Sequence, residues 1–180
     1  MLYRHTAIVL LVSMSAVFAA SQRGALFSRF RVQGSEVIKN RNPEATKEVI
    51  IIGRRGIEDG DETWEQFLAR VRNAASGLPT FAGHYAIVGW SCGASCINSA
   101  VVDTDSGRVT LTPFNVVTFC RDHTTPGFDF RADSRLLVAE GDIEWKRQSQ
   151  IPPPTGNSCT HYFEWNGRDL KQVHPKVPRR

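Results

Sequence analysis

The chain has 180 residues, 22 lysines and arginines against 18 aspartates and glutamates, a formal charge of +4 and four cysteines. With 41% hydrophobic and 22% charged residues it can bury a real core, which excludes a disordered or low-complexity chain. The length suits one domain, and the basic excess is slight and largely terminal, at Lys171, Lys176, Arg179 and Arg180, whereas a nucleic-acid binder wants a clustered basic face with interleaved aromatics.

The N-terminus reads as an export signal. Arg4 supplies a positive n-region, residues 7–14 an apolar h-region, and Val17-Phe18-Ala19 a small-x-Ala cleavage pattern. Cleavage is expected after Ala19, because a cut after Ala20 would put bulky Phe18 where a small side chain is preferred. The apolar run is far short of the roughly 20 residues a transmembrane helix needs, and no later segment approaches that length. A periplasmic or secreted protein that does not span the membrane is the expectation. Losing Arg4 with the signal lowers the formal charge to +3.

Residues 20–47 show little periodicity and read as an irregular N-terminal arm with a short strand near Phe30 to Val32. Glu48 to Ile52 is a β-branched run, expected as a buried strand. Thr63-x-x-Gln66 fits a capping box, and Trp64, Phe67, Leu68 and Val71 recur at i, i+3, i+4 and i+7, so an amphipathic helix follows and ends at Gly77. From Phe81 the period becomes that of strands: His84 to Trp90, Ile97 to Asp103, Arg108 to Pro113, Asn115 to Cys120, Phe128 to Arg131 and Leu136 to Ala139. Thr104-Asp105-Ser106-Gly107 is a hairpin turn. A last hairpin joins His161 to Trp165 with Arg168 to Val173 through Asn166-Gly167, read as a type I′ turn. Residues 175–180, with Lys176, Arg179 and Arg180 among prolines, form a basic tail.

Short connections imply antiparallel pairing. The expected architecture over residues 48–174 is a single α+β domain: one curved antiparallel sheet, a meander of hairpins, with one main amphipathic helix packed on it and disulfides to stabilise it.

Several strings carry a resemblance. Phe81-Ala82-Gly83-His84-Tyr85, then Trp90-x-Cys92-Gly93-x-x-Cys96, Asp103-x-x-Ser106-Gly107-x-Val109, Asp129-Phe130-Arg131-x-Asp133-Ser134-Arg135-Leu136-Leu137 and Tyr162-x-Glu164-Trp165-Asn166-Gly167 resemble a family of small exported bacterial proteins of unassigned function. The resemblance spans roughly residues 60–170. It implies an exported, disulfide-containing domain and supplies no catalytic residues.

An even cysteine set behind an export signal is expected to be paired. Residues i and i+4 of an extended strand stand about 13 Å apart, whereas a disulfide needs Cα atoms about 4.4–6.8 Å apart, so Cys92 and Cys96 bond only if Gly93-Ala94-Ser95 turns. Cys92 with Cys96 and Cys120 with Cys159 is favoured, and the two other connectivities stay open.

Three functional readings compete. Gly89-Trp90-Ser91-Cys92-Gly93 matches the G-x-S-x-G nucleophile elbow, with Ser91, Asp122 and His123 (or Asp103 and His161) in the order serine, acid, histidine, yet that motif needs a strand, a turn and a helix, and a strand follows here. Cys92, Cys96, Cys120 and His123 have workable metal-ligand spacing, which an oxidising compartment disfavours. Within this second, cysteine-based reading, a thiol oxidoreductase is likewise disfavoured, by three residues between the cysteines rather than two. The third is a non-enzymatic binding or accessory protein that needs no cofactor or metal and meets an extracellular or envelope protein. Its contact surface is the pinned turn, Gly93 and Ser95, with His84, Tyr85 and Trp90 as an aromatic patch beside it.

Overall fold

The computed structural model describes residues 22–33, 49–52, 63–117, 127–146 and 159–175. Helix α2 (Trp64–Ser76) begins as the capping box requires: the Gln66 amide donates to the Thr63 hydroxyl at 3.3 Å, and the Thr63 amide donates to the Gln66 side chain at 2.8 Å. Two amides that would otherwise be orphaned at the helix start are thereby satisfied. Its apolar stripe buries Phe67, Val71 and Ala75.

Among the described residues ten strands form two sheets, where a single sheet was expected. The first holds β1 (Ile50–Ile52), β2 (Tyr85–Ser91), β3 (Cys96–Asp103), β4 (Arg108–Leu111), β5 (Phe114–Val117) and β8 (Asp142–Trp145). Strand β3 pairs with β2 on one side and with both β4 and β5 on the other, so β4 and β5 are two halves of one broken strand. The break is at Thr112, whose hydroxyl donates to the Ser99 carbonyl at 2.9 Å inside the core. The second sheet runs in the order β10 (Leu170–Val173), β9 (Thr160–Trp165), β7 (Leu136–Glu140), β6 (Gly127–Phe130) and is antiparallel throughout.

The period-2 alternation of the strands explains the layering. Val101, Phe114 and Val116 of the first sheet meet Leu137, Ala139, Phe163 and Trp165 of the second in a common core. The opposite face of the first sheet, with Val88, Trp90, Ala100, Val102 and Val109, is covered by α2. The outer face of the second, with Leu136 and Val138, is covered by Leu26 and Phe27 of a helix over 22–29, here α1. The result is four layers, helix on sheet on sheet on helix, within the α+β class. Strands β3 and β7 are buried on both faces for that reason.

Four further expectations are corrected. Residues 22–29 are helical rather than irregular, and the Ser134 hydroxyl holds the end of that helix by donating to the Phe27 carbonyl at 2.9 Å. Of the strand expected near Phe30 to Val32, an isolated bridge between Arg31 and Ser134 is what forms. Strand β1 pairs in parallel with β4, and as among the described residues it is supported on one side only, Ile50 is 55% exposed rather than buried. The last hairpin forms, but Trp165 pairs with Leu170, leaving a four-residue loop. Asn166 keeps an ordinary φ, and its side-chain oxygen accepts from the Arg168 and Asp169 amides at 2.9 and 2.8 Å, so the Asx turn displaces the type I′ turn. Among the described residues no helix is long and apolar enough to cross a membrane.

Candidate functional site

The turn between β2 and β3 is built by its own residues. Gly93 has φ +115 and Ser95 φ +60, which bends the chain back so that Cys92 and Cys96 lie 5.1 Å apart at Cα and are joined by a disulfide. The Cys92 amide donates to the Cys96 carbonyl at 3.1 Å, continuing the ladder up to the crosslink. Cys159 is also disulfide-bonded, and no described cysteine is free; Cys120, its expected partner, lies outside the described residues.

This hairpin forms one end of a groove of about 590 Å³. One wall is the strand pair itself: Ile87, Gly89 and Ser91 of β2, Gly93 and Ser95 of the turn, and Cys96 and Ile97 of β3. The facing wall is Gly127, Phe128 and Phe130 of β6, from the other sheet. Trp90 and Arg70 border it on the α2 side. Among the described residues both β2 and β6 are edge strands, so the groove lies on the side of the sandwich where no described strand closes it.

Of the surface expected from the sequence, Trp90, Gly93 and Ser95 border this groove. His84 and Tyr85 do not. They sit at the other end of β2, Tyr85 about 20 Å from Ser91 and the crosslinked turn at the strand's rise per residue. Tyr85 packs edge-on against Trp165 with ring centroids 5.3 Å apart, and the His84 ring lies 4.1 Å from that of Tyr85. Trp90 is 3% exposed and packs edge-on against Phe67 at 4.9 Å, so it is a core residue that shows the groove only its rim. The facing wall was not legible, because the register of β6 against β2 is set by the whole sandwich. The apolar alternation Phe128-Asp129-Phe130 was the available signal.

The nucleophile-elbow string lacks its context. Ser91 closes a strand and the next element is another strand. The Ser91 hydroxyl is held within the turn, donating to the Gly93 carbonyl or accepting from the Gly93 amide, both at 3.2 Å. Asp122 and His123 lie outside the described residues, Asp103 is at the far end of β3, and His161 is buried on the second sheet. The disulfide also removes Cys92 and Cys96 as thiolate ligands for a metal.

Among the described residues, His84, Asp103 and Asp105 bring possible ligand atoms within 4.8 Å of one another. The Asp103 carboxylate is occupied by the hairpin, accepting from the Asp105 amide at 2.7 Å and the Ser106 hydroxyl at 2.6 Å. Its role there is to fix the turn.

No family model, no curated protein and no solved structure matches this chain.

The crosslink is expected to act on stability locally. Replacing Cys92 and Cys96 together by serine is expected to cost about 2 kcal/mol, the chain-entropy value for so short a loop. Denaturant titration measures it as a shift of midpoint at unchanged slope, and a shift too small to detect would mean that the turn forms equally well in the uncrosslinked chain.

Proposed function

We propose that this is an exported, non-enzymatic binding protein whose contact surface is the groove between the disulfide-closed hairpin and β6. The observation that carries the reading is the groove's construction. Its walls are three strands and a crosslinked turn, which lose little freedom when a partner docks, and rigid surfaces bind with a smaller ordering cost. Its lining is apolar and backbone-rich, with Arg70 as the one charged side chain among the described residues, a composition suited to recognition. The export signal of residues 1–19 and the cysteine set support a periplasmic or extracellular setting, and with it an envelope or extracellular protein as partner. The resemblance to small exported bacterial proteins points the same way.

The test pairs two measurements on the mature chain. The immobilised protein should retain one envelope protein, and a Phe128→Asp variant that keeps the native circular dichroism should lose it. Small ester substrates should show no turnover that disappears in Ser91→Ala. Serine-dependent turnover, or retention indifferent to Phe128→Asp, would sink the proposal.

A further inference from the structure

The open side of the sandwich carries a row of main-chain groups with a definite direction. In an antiparallel pair, alternate residues turn both N–H and C=O toward the partner strand, and the residues between turn theirs away. The His84 carbonyl accepts from Thr104, and the Cys92 amide donates to Cys96, so the even-numbered residues of β2 face β3. Tyr85 confirms the alternation: its amide donates to the Phe81 carbonyl at 2.9 Å and its carbonyl accepts from the Phe81 amide at 2.8 Å, on the side away from β3. Beyond that bridge, Ile87, Gly89 and Ser91 point their amides and carbonyls outward, and among the described residues no strand lies beside them. These same three residues line the groove.

Exposed edges are usually blunted by lysine, proline or a bulge. Strand β2 has none of these: its sequence is Tyr-Ala-Ile-Val-Gly-Trp-Ser, and its register with β3 is unbroken from Tyr85 to Ser91. Gly89 stands at the middle of the outward row and leaves the strand without a side chain at that point of the groove. Phe128 and Phe130 wait across the gap, half-buried against the common core.

We infer that the groove takes an extended peptide segment of another protein, which adds to the edge of β2 as a further strand. This rests on the binding role proposed above and names its partner's chemistry. The outward groups of Ile87, Gly89 and Ser91 form main-chain hydrogen bonds with the segment, a known mode of recognition in which the backbone gives affinity and alternate side chains give specificity. Side chains of the added strand alternate between the two faces of the first sheet. Those on the inner face pack on Phe128 and Phe130 and are therefore apolar. Those on the α2 face meet Arg70, and among the described residues no acidic side chain lines the groove. A carboxylate between two apolar residues fits that arrangement. A second copy of this chain fits less well, because its own β2 arrives with a β6 wall attached, while the gap is already walled.

The probe is a blocked hexapeptide alternating valine and glutamate, added to the full mature chain, with amide hydrogen exchange read residue by residue. Binding should slow exchange at Ile87, Gly89 and Ser91 by at least about tenfold. The same peptide N-methylated at alternate amides, which cannot pair with a strand edge, should neither bind nor protect. Equal binding of the methylated peptide, or protection elsewhere, overturns strand addition while leaving the groove as a contact surface. No binding at millimolar peptide overturns it too. Concentration-dependent protection of the three amides without peptide, with a doubled mass, assigns the edge to a second copy instead. The partner-retention result with Phe128→Asp separates all of these from failure of the binding role itself.

Discussion

Gly141→Ala is expected to lower the stability of the domain by about 2–5 kcal/mol, the sum of a forbidden backbone conformation and an overpacked contact. Gly141 has φ +136, a region open to glycine and closed to residues with a side chain. A Cβ there would stand 2.6 Å from Val116 Cγ1 and 2.7 Å from the Val117 carbonyl oxygen, and the second of these is backbone that cannot rotate away. The position matters because the chain changes sheets at this residue: β7 ends at Glu140 in the second sheet and β8 begins at Asp142 in the first. Its amide donates to the Cys159 carbonyl at 2.8 Å, so the crossing point is also tied to a disulfide-bonded residue. Gly24, in α1, offers the contrast. A Cβ there meets nothing within 4 Å, and Gly24→Ala is expected to be stabilising by up to about 1 kcal/mol through helix propensity. Denaturant midpoints of the two variants should move in opposite directions, and a Gly141→Ala protein as stable as the parent would show that the crossing is not fixed by this glycine.

The local elements were legible where one short string carries the whole instruction. Thr63 and Gln66 specify the start of α2 by themselves, and Asp103 to Gly107 specify their turn through a side chain acting on amides two and three residues away. The Cys92–Cys96 hairpin was legible because a four-residue separation leaves one geometry that can close it. What escaped depends on distant partners. Helix α1 is a short segment whose apolar residues find their purpose only against Leu136 and Val138, more than 100 residues later. Strand β8 is four residues with no periodic signal of its own, defined by its pairing with β5. The division into two sheets is likewise a property of which strands meet, and each hairpin taken alone fits one sheet as well as two. The groove inherits both kinds of information. Gly93 and Ser95 were readable from their turn, whereas Phe128 and Phe130 become a wall only when the second sheet folds across the first. His84 and Tyr85 were placed with the turn because they share its strand, and a strand's length carried them to the opposite end.

Phe163→Ala is expected to cost about 3–5 kcal/mol, the range for removing a fully buried aromatic ring and leaving a cavity. Phe163 is 0% exposed and lies in β9 of the second sheet, yet its ring neighbours belong to the first. Phe114 of β5 stacks on it with centroids 4.2 Å apart, and Trp145 of β8 meets it edge-on at 6.0 Å. Phe114 and Trp145 also meet each other at 5.5 Å, so the three rings form one contact that bridges the sheets. Two twisted sheets packed about 10 Å apart cannot close over a missing ring without shifting whole strands, which is why the cavity should persist. Such a loss is a large fraction of the roughly 5–15 kcal/mol that holds a typical domain together. Leu78→Ala, at a side chain 65% exposed, should by contrast change stability by less than about 0.5 kcal/mol. Urea or guanidinium titration of both variants decides the point. If Phe163→Ala costs less than about 1 kcal/mol, the sheets are held together elsewhere, and the rigidity of the groove that opens between their edges loses its support.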